Sequence, residues 1–269
     1  MFSNFMINAW FSGTIIALLV GAVGFFVVMR GSAFAAHAIP NGAFAGAAGA
    51  NLIGVNPLLG LVSFALVAAF GIGASSRWAK SDVATALALV TMLALGAAFL
   101  ATSTNYEPAI NALLFGEILG VSSSEILPVI LLAVLCALGL ALLYRPLLYS
   151  SLSDELSRAN GLNTTVIEVL FLVIMALASA LAVPVVGALL TFSLMIGPPA
   201  AARLLSSRPS RALCYSMVFS LLTLWASIAC SYTFNLPIGF FVGTLSALAY
   251  VVVRTWVVLR ARRVTAAIA

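Results

Sequence analysis

The amino-acid sequence predicts an all-α, polytopic membrane protein with about nine (eight to nine) transmembrane helices. Hydrophobic residues make up 64% of the 269 residues and charged residues only 7%, whereas about one quarter of the residues of an average soluble domain are charged. Apolar runs of roughly 17 to 25 residues, long enough to cross a bilayer as helices, recur along nearly the whole chain. No stretch is polar enough to form a separate soluble domain, so we expect residues 1–269 to form a single membrane domain.

The predicted crossings follow one another with short connections, apart from two longer segments. The short segment around His37 and the break at Pro184 decide whether the crossings number eight or nine. The nine apolar runs are residues 10–29, 34–54, 57–76, 83–102, 126–144, 165–182, 185–202, 212–234 and 238–259.

The basic residues predict the orientation, because loops rich in Lys and Arg remain in the cytoplasm. If the uncharged first nine residues lie outside, every connection that carries Lys or Arg falls on the cytoplasmic side, and Arg254 lies close enough to its cytoplasmic end to snorkel. The external segment 103–125 carries three glutamates and no basic residue. We therefore expect an outside N-terminus and a cytoplasmic C-terminus. The net charge of +5 follows from this rule and does not indicate nucleic acid.

The longest cytoplasmic connection, residues 145–165, predicts a short helix that lies outside the membrane. Ser153, Asp154 and Glu155 give a polar start with acids in the first turn, and Gly161 gives a stop after Arg158. Two interpretations remain open for this helix. It is either an interfacial helix that joins two crossings or a docking element for a cytoplasmic partner.

The second interruption lies in the segment VPVVGALLTFSLMIGPPAAARLL. Pro184 is placed between two crossings and Pro198-Pro199 interrupts the second of them, so backbone carbonyls there lose their helical partners. In a membrane such backbone is tolerated only where it is buried in protein or lines a watery cavity, and discontinuous spans often mark transport paths. A kinked packing helix is the alternative.

Several segments carry a family resemblance. DELSRANGLN followed by VPVVGALLTFSLMIGPPAAARLL resembles the membrane permease of metal-chelate ABC importers, the zinc and manganese type. LLFGEILGVSSSEI, residues 113–126, resembles that family's external element, and His37-Ala38 with Gly42 matches its histidine signature. The resemblance runs over almost the whole chain. It implies a single ABC-importer-type transmembrane domain in the cell membrane.

The resemblance also implies a function and a set of partners. The chain would be the permease subunit of an ATP-driven importer, forming the pathway for a divalent metal ion (manganese or zinc, with iron as a further candidate) by alternating access. The implied partners are two cytoplasmic ABC ATPases that grip residues 153–162, a second copy of the permease, an extracytoplasmic metal-binding protein and the membrane lipids. We expect no covalently bound cofactor. Because the chain has no GxxxxGK[ST] motif, ATP hydrolysis must belong to a separate chain.

The resemblance implies His37 as a metal ligand on the pathway, with Gly42 beside it. Asn41, as a source of neutral oxygen, and Pro198 and Pro199, at the predicted interruption, complete the candidate pathway residues. Where family members carry an acid four residues before the histidine, this chain has Ala33. A lone imidazole is a poor cage for Mn(II) or Zn(II), which prefer several ligands.

Three roles of His37 therefore stay open: a transient metal contact, a packed and hydrogen-bonded residue, or recognition of a different cargo such as a chelated metal. Neutral oxygens from Asn41 and Asn51 are candidates for the missing ligand, and Glu168 is the only acid inside a predicted crossing.

Two other classes of membrane protein fit the sequence less well. An intramembrane enzyme would have to build its dyad on His37, and the chain has no Gly-x-Ser-x-Gly turn. A passive channel needs a ring of carbonyls or charges as its filter, and none is evident. The glycines of the His37 segment, Gly42, Gly46 and Gly49, predict close helix packing, with a contact between two copies as the alternative.

Overall fold

The computed structural model is all-helical, as the sequence predicts. It describes residues 4–75, 81–102, 114, 116, 123–152, 157 and 160–266. Every helix in this part of the chain overlaps one of the predicted crossings. The helices are α1 (Asn4–Arg30), α2 (Ala33–Leu52), α3 (Pro57–Ser75), α4 (Ser81–Ala101), α5 (Ser123–Leu152), α6 (Thr164–Val186), α7 (Ala188–Leu205), α8 (Pro209–Phe234) and α9 (Ile238–Ala266).

The helices differ in how apolar they are. Six of them (α1, α3, α5, α6, α8 and α9) contain a segment long and apolar enough to cross a membrane, and α4 and α7 contain shorter apolar segments. Helix α2 belongs to neither group, because His37, Pro40, Asn41 and Asn51 interrupt its apolar run. The chain is therefore a multi-pass membrane protein in which α2 is the exceptional helix.

Burial separates inner helices from outer ones. The apolar segments of α1 and α6 are 67% and 72% buried, whereas those of α5 and α9 are only 17% and 11% buried. Helix α2 packs against α3, α4, α6 and α7, and the run from Ala35 to Ala50 is almost entirely buried. His37 and Asn41 thus lie among other helices, since polar side chains facing lipid would be costly.

Small residues bring α2 close to its neighbours, which confirms the predicted helix packing. A Cβ added to Gly42 would lie 3.2 Å from Ala68 of α3, and one added to Gly49 would lie 3.1 Å from the ring of Phe99 of α4. These glycines therefore serve contacts within one chain.

Contacts between distant helices fix their relative directions. The Trp225 indole donates to Thr14 at 3.0 Å and the Ser216 hydroxyl donates to the Gly21 carbonyl at 2.6 Å, so α8 runs antiparallel to α1. Arg30, at the end of α1, donates to Ser150 near the end of α5, so these two helix ends meet. In a chain whose helices cross the membrane in alternating directions, the first and fifth helices run the same way and the eighth runs the opposite way. The observed contacts agree with this pattern.

The break between α6 and α7 lies at Gly187, not at Pro184 as the sequence predicts. Pro184 lies inside α6, because losing one N–H donor near a helix end does not stop the helix. Gly187 has φ 94° and ψ 151°, a backbone region open almost only to glycine. Its carbonyl then accepts the N–H of Thr191 at 3.0 Å and the Thr191 hydroxyl at 2.7 Å, which starts α7.

The prediction that Pro198-Pro199 interrupts the seventh helix is wrong, because α7 is continuous from Ala188 to Leu205. The prolines still free carbonyls, and α1 covers one of them. A Cβ on Gly24 would lie 2.3 Å from the Met195 oxygen and 2.7 Å from the Pro199 ring. Because residue 24 is a glycine, α1 can pack directly over this carbonyl. Both prolines are buried within the helix bundle.

Gly161 has the backbone conformation that the predicted helix stop requires. Gly161 has φ 71°, and the Leu162 N–H donates to the Ser157 carbonyl at 3.0 Å, the bond that closes a Schellman motif. The residues predicted to couple the chain to its ATPase, Ser153, Asp154, Glu155 and Arg158, lie outside the described residues. Helix α6 begins immediately afterwards, with the Asn163 side chain accepting the N–H groups of Thr165 and Val166.

Candidate functional site

The His37 side chain lies between α2 and α7. Its ring meets Phe192 edge to face, with the ring centroids 5.1 Å apart. The Nδ1 atom is buried and has no hydrogen-bond partner among the described residues. The interpretation of His37 as a hydrogen-bonded packing residue therefore receives no support at this nitrogen, which has a hydrogen-bonding position left for a ligand.

Asn41 lies one helical turn after His37, on the same side of α2. The residue is 1% exposed, and its amide nitrogen donates to the His37 carbonyl at 2.7 Å. A carbonyl oxygen only accepts, so this bond fixes the orientation of the amide. The Asn41 Oδ1 atom is consequently directed away, and it is buried without a partner in the described part of the chain.

Neighbouring positions on α2 contribute less to this pair. Gly42 is buried against Ala68 and Met92, so it provides packing beside Asn41. Asn51 is exposed near the end of α2, ten residues and thus about 15 Å along the helix from Asn41. Ala33 is the first residue of α2 and is half-buried one turn before His37.

The other candidate residues do not complete a metal cage. Glu168 is half-buried in the first turns of α6, and Pro198 and Pro199 are buried in α7 beside α1. Among the described residues, no three His, Cys, Asp or Glu side chains lie together. The arrangement on α2 therefore offers one imidazole nitrogen and one amide oxygen as its buried, unpartnered polar atoms.

Two residues of this region were missed by sequence reasoning. Phe192 packs on His37, and nothing in the order of apolar residues along α7 distinguishes it from its neighbours. Gly116 belongs to the external element and has φ 80°. A Cβ on Gly116 would lie 2.5 Å from the Val185 oxygen and 2.8 Å from the Gly187 nitrogen, so Gly116 packs directly on the break between α6 and α7.

Unpaired buried acceptors are costly in a protein interior, at about 1 to 3 kcal/mol each. In protein interiors such groups are commonly paired by ordered water or by a bound ion. Imidazole nitrogen and amide oxygen are both ligands of first-row divalent metals.

Comparison with known proteins places the chain in a family. The chain matches the model of the ABC 3 transport family over residues 2–257. It is 26% identical over 238 residues to the manganese transport system membrane protein MntC of Listeria monocytogenes, covering 88% of this chain and 85% of that protein. It is 28% identical over 237 residues to a protein of Thermotoga maritima named a probable metal transport system membrane protein, covering 88% and 84%.

A solved structure shares the fold. PsaBC from Streptococcus pneumoniae, in complex with a Fab, superposes with a TM-score of 0.84 at 24% identity, covering 93% of this chain and 91% of that chain. The family match extends over nearly all of the helices described above. The chain therefore belongs to the ABC 3 transport family.

Proposed function

We propose that this chain is the permease subunit of an ATP-driven importer and forms the membrane pathway for a divalent metal ion, with manganese as the first candidate and zinc or iron as the others. The observation that carries the proposal is the pair of buried, unpartnered acceptors on α2, His37 Nδ1 and Asn41 Oδ1. The manganese and metal transport names of the relatives support the same class of cargo.

The pathway works by alternating access in this proposal. His37 and Asn41 replace part of the ion's hydration shell while the ion passes, and the absence of a carboxylate at Ala33 keeps that hold weak. A pathway of this kind has to bind its ion strongly enough to admit it and weakly enough to release it. Gly42 beside this pair, and Pro198 and Pro199 on α7, help to shape the surrounding helix packing.

The energy comes from partner chains. Two cytoplasmic ABC ATPases dock on residues 153–162, a second copy of this chain completes the pathway, and an extracytoplasmic metal-binding protein delivers the ion. In this proposal the chain lies in the plasma membrane, with its N-terminus outside the cell and its C-terminus in the cytoplasm. The contact of Arg30 with Ser150 supports this orientation, because it brings the basic end of α1 beside the C-terminal part of α5, in which Arg145 lies.

The test compares metal accumulation in cells that express the chain with its ATPase, measured by mass spectrometry. We expect His37→Ala and Asn41→Ala each to lower accumulation of one metal by about tenfold or more, the scale of losing a supporting residue at a metal site. Asn51→Ala is the matched control, because Asn51 is the same residue type on the same helix but is exposed.

The alternative cargo is a chelated metal or another non-ionic molecule, which the missing acid at position 33 keeps open. It predicts that free metal accumulation stays unchanged in both variants while accumulation of the chelate falls. That result would overturn the proposal of a bare ion.

A further inference from the structure

An apolar groove lies between α1, α5 and α8. It has a volume of about 570 Å³ and is lined by apolar residues and Tyr144. The part of α5 that lines it runs from Ile130 to Tyr144, which is about 21 Å along the helix. The hydrocarbon of one membrane leaflet is about 15 Å thick. The groove is therefore long enough to hold an extended acyl chain of one leaflet.

The groove opens onto the outer surface of the chain. Ala137 and Ala141 of α5 line it and are exposed, and the apolar segment of α5 is only 17% buried. On the inner helix α1, the lining residues Ile15, Leu18 and Ala22 are only partly buried. Water would find almost no hydrogen-bond partner on these walls, and apolar cavities of this kind stay dry. Whatever fills the groove must therefore be apolar.

One end of the groove is basic. At this end the Tyr144 ring meets the Phe26 ring near the end of α1, with the centroids 5.8 Å apart. Leu213, near the start of α8, lines the same end, because α8 runs antiparallel to α1. Arg145 directly follows Tyr144, Arg211 precedes Leu213 by two residues, and both arginines are exposed. Helices α1 and α8 contain no acidic residue, and the acid of α5 lies near the opposite end of that helix.

We propose that the groove binds one acyl chain of an anionic phospholipid whose phosphate lies near Arg145 and Arg211. An acyl chain gives the apolar walls the van der Waals contacts that an empty groove lacks. Basic residues between transmembrane helices on the cytoplasmic side are typical of sites for anionic lipid headgroups. In the orientation proposed above, the basic end of the groove is cytoplasmic. The lipid is a bound partner of the chain and not its cargo.

Native mass spectrometry of the purified transporter with its ATPase tests the proposal. The probes are phosphatidylglycerol and phosphatidylcholine with identical acyl chains, and we expect the transporter to retain phosphatidylglycerol in preference. Ala137→Phe should abolish this retention, because the ring fills the groove; since Ala137 is exposed, the ring enters open space and the helix packing stays intact. Ala226→Phe is the matched control, at an exposed alanine of α8 outside the groove, and should retain the lipid.

The headgroup contact is tested by replacing Arg145 and Arg211 together. Each basic residue near an anionic lipid surface strengthens binding by about fivefold, so the double alanine variant should bind phosphatidylglycerol more weakly by roughly 25-fold. The double lysine variant keeps both charges and should keep the preference for phosphatidylglycerol. Arg254→Ala with Arg260→Ala is the control, because these two exposed arginines belong to α9, and it should leave the binding unchanged.

Three results would overturn the proposal. Equal retention of the two lipids, or unchanged binding in the double alanine variant, would show that the arginines do not recognise an anionic headgroup. Unchanged retention in Ala137→Phe would show that the lipid binds elsewhere. If Ala137→Phe separates two copies of the permease and leaves lipid retention unchanged, a second copy occupies the groove. Lipid retention is measured without transport, so these failures are distinct from unchanged metal accumulation in the His37 and Asn41 variants.

Discussion

Gly46 of α2 and Gly60 of α3 lie back to back, each against the backbone of the other. A Cβ added to Gly46 would come within 2.0 Å of the Gly60 carbonyl oxygen, and a Cβ added to Gly60 within 2.2 Å of the Gly46 carbonyl oxygen. Close approach through small residues is a principal source of helix association in membranes. This crossing holds α2, and with it His37 and Asn41, against α3.

We expect Gly60→Ala to destabilise the chain strongly, because the new methyl group meets backbone that no side-chain rotation can move. Overpacking of this kind typically costs about 1 to 3 kcal/mol. The measurement is the thermal midpoint of the detergent-purified protein. Gly71→Ala, on the same helix with nothing within 4 Å of the added Cβ, should leave the midpoint unchanged; an equal fall in both variants would mean that the crossing is not the cause.

Gly187 is the position where backbone conformation controls the α6 to α7 connection. Its φ and ψ angles lie in a region closed to other residues, and such strain costs about 1 to 3 kcal/mol. Gly187→Ala should therefore lower the thermal midpoint and reduce metal accumulation, because it changes the angle of the helix that carries Phe192. Gly243→Ala is the control, since its Cβ would meet only the flexible end of Leu190 at 3.2 Å.

Arg30 joins three helices near the end of α1. It donates to Ser150 of α5, and its guanidinium lies 5.6 Å from the ring centroid of Phe171 of α6. Lysine keeps the charge but loses the planar stacking surface. Arg30→Lys should lower stability by roughly 1 kcal/mol, measured by thermal unfolding.

Arg260 provides the comparison for that experiment. It stacks on Trp256 at 5.4 Å, but Trp256 is exposed on the outer helix α9. We expect Arg260→Lys to leave the thermal midpoint within error. If Arg260→Lys is as harmful as Arg30→Lys, loss of stacking alone explains both and Arg30 has no special role in joining the helices.

Hydrophobic runs predicted the helices well for a physical reason. Inside a bilayer every backbone N–H and C=O needs a hydrogen-bond partner within the protein, so a long apolar run crosses it as an α-helix. The predicted crossings at residues 57–76 and 238–259, for example, correspond to helices that begin at Pro57 and Ile238. Even the weakly apolar α2 was recognised, because its many alanines compensate for His37 and Asn41.

The details of the candidate site were less predictable. The prolines of the segment that contains Pro184, Pro198 and Pro199 led to a predicted break at Pro184, yet the break lies at Gly187. The sequence does not show which φ and ψ angles an isolated glycine adopts. The contact between His37 and Phe192 joins helices that are far apart in the chain, and such pairing depends on the whole arrangement of helices. Family resemblance indicated His37, whereas only the structure identifies its aromatic neighbour.

The proposed ATPase-docking segment, residues 153–162, gives a prediction that rests on sequence and resemblance, since Asp154 and Glu155 lie outside the described residues. Replacing both by Ala should abolish metal uptake while ATP hydrolysis by the partner continues, because the docking contact transmits the motion. Asp82→Ala, which removes an acid from the first turn of α4, is the control. Unchanged uptake in the double variant would leave residues 153–162 as a joining helix only.

Ala33 offers a gain-of-function test of the pathway. It is the first residue of α2, one turn before His37, so Ala33→Asp would place a carboxylate on the same side of the helix as the imidazole. The N-terminal turn of a helix also favours a negative charge, so the substitution should fold. A carboxylate offsets the desolvation of a divalent ion, and we expect Mn²⁺ to bind at least tenfold more tightly, or by about 1.4 kcal/mol.

Tighter binding should also slow release, so Ala33→Asp should raise the Mn²⁺ content of the purified transporter while lowering its maximal uptake rate. Metal content is measured by mass spectrometry and uptake in proteoliposomes. Ala33→Asn is the matched control, with the same shape and no charge, and should change neither. If Ala33→Asp leaves the affinity unchanged, the first turn of α2 does not face the ion, and the pathway must approach His37 from the side of Phe192.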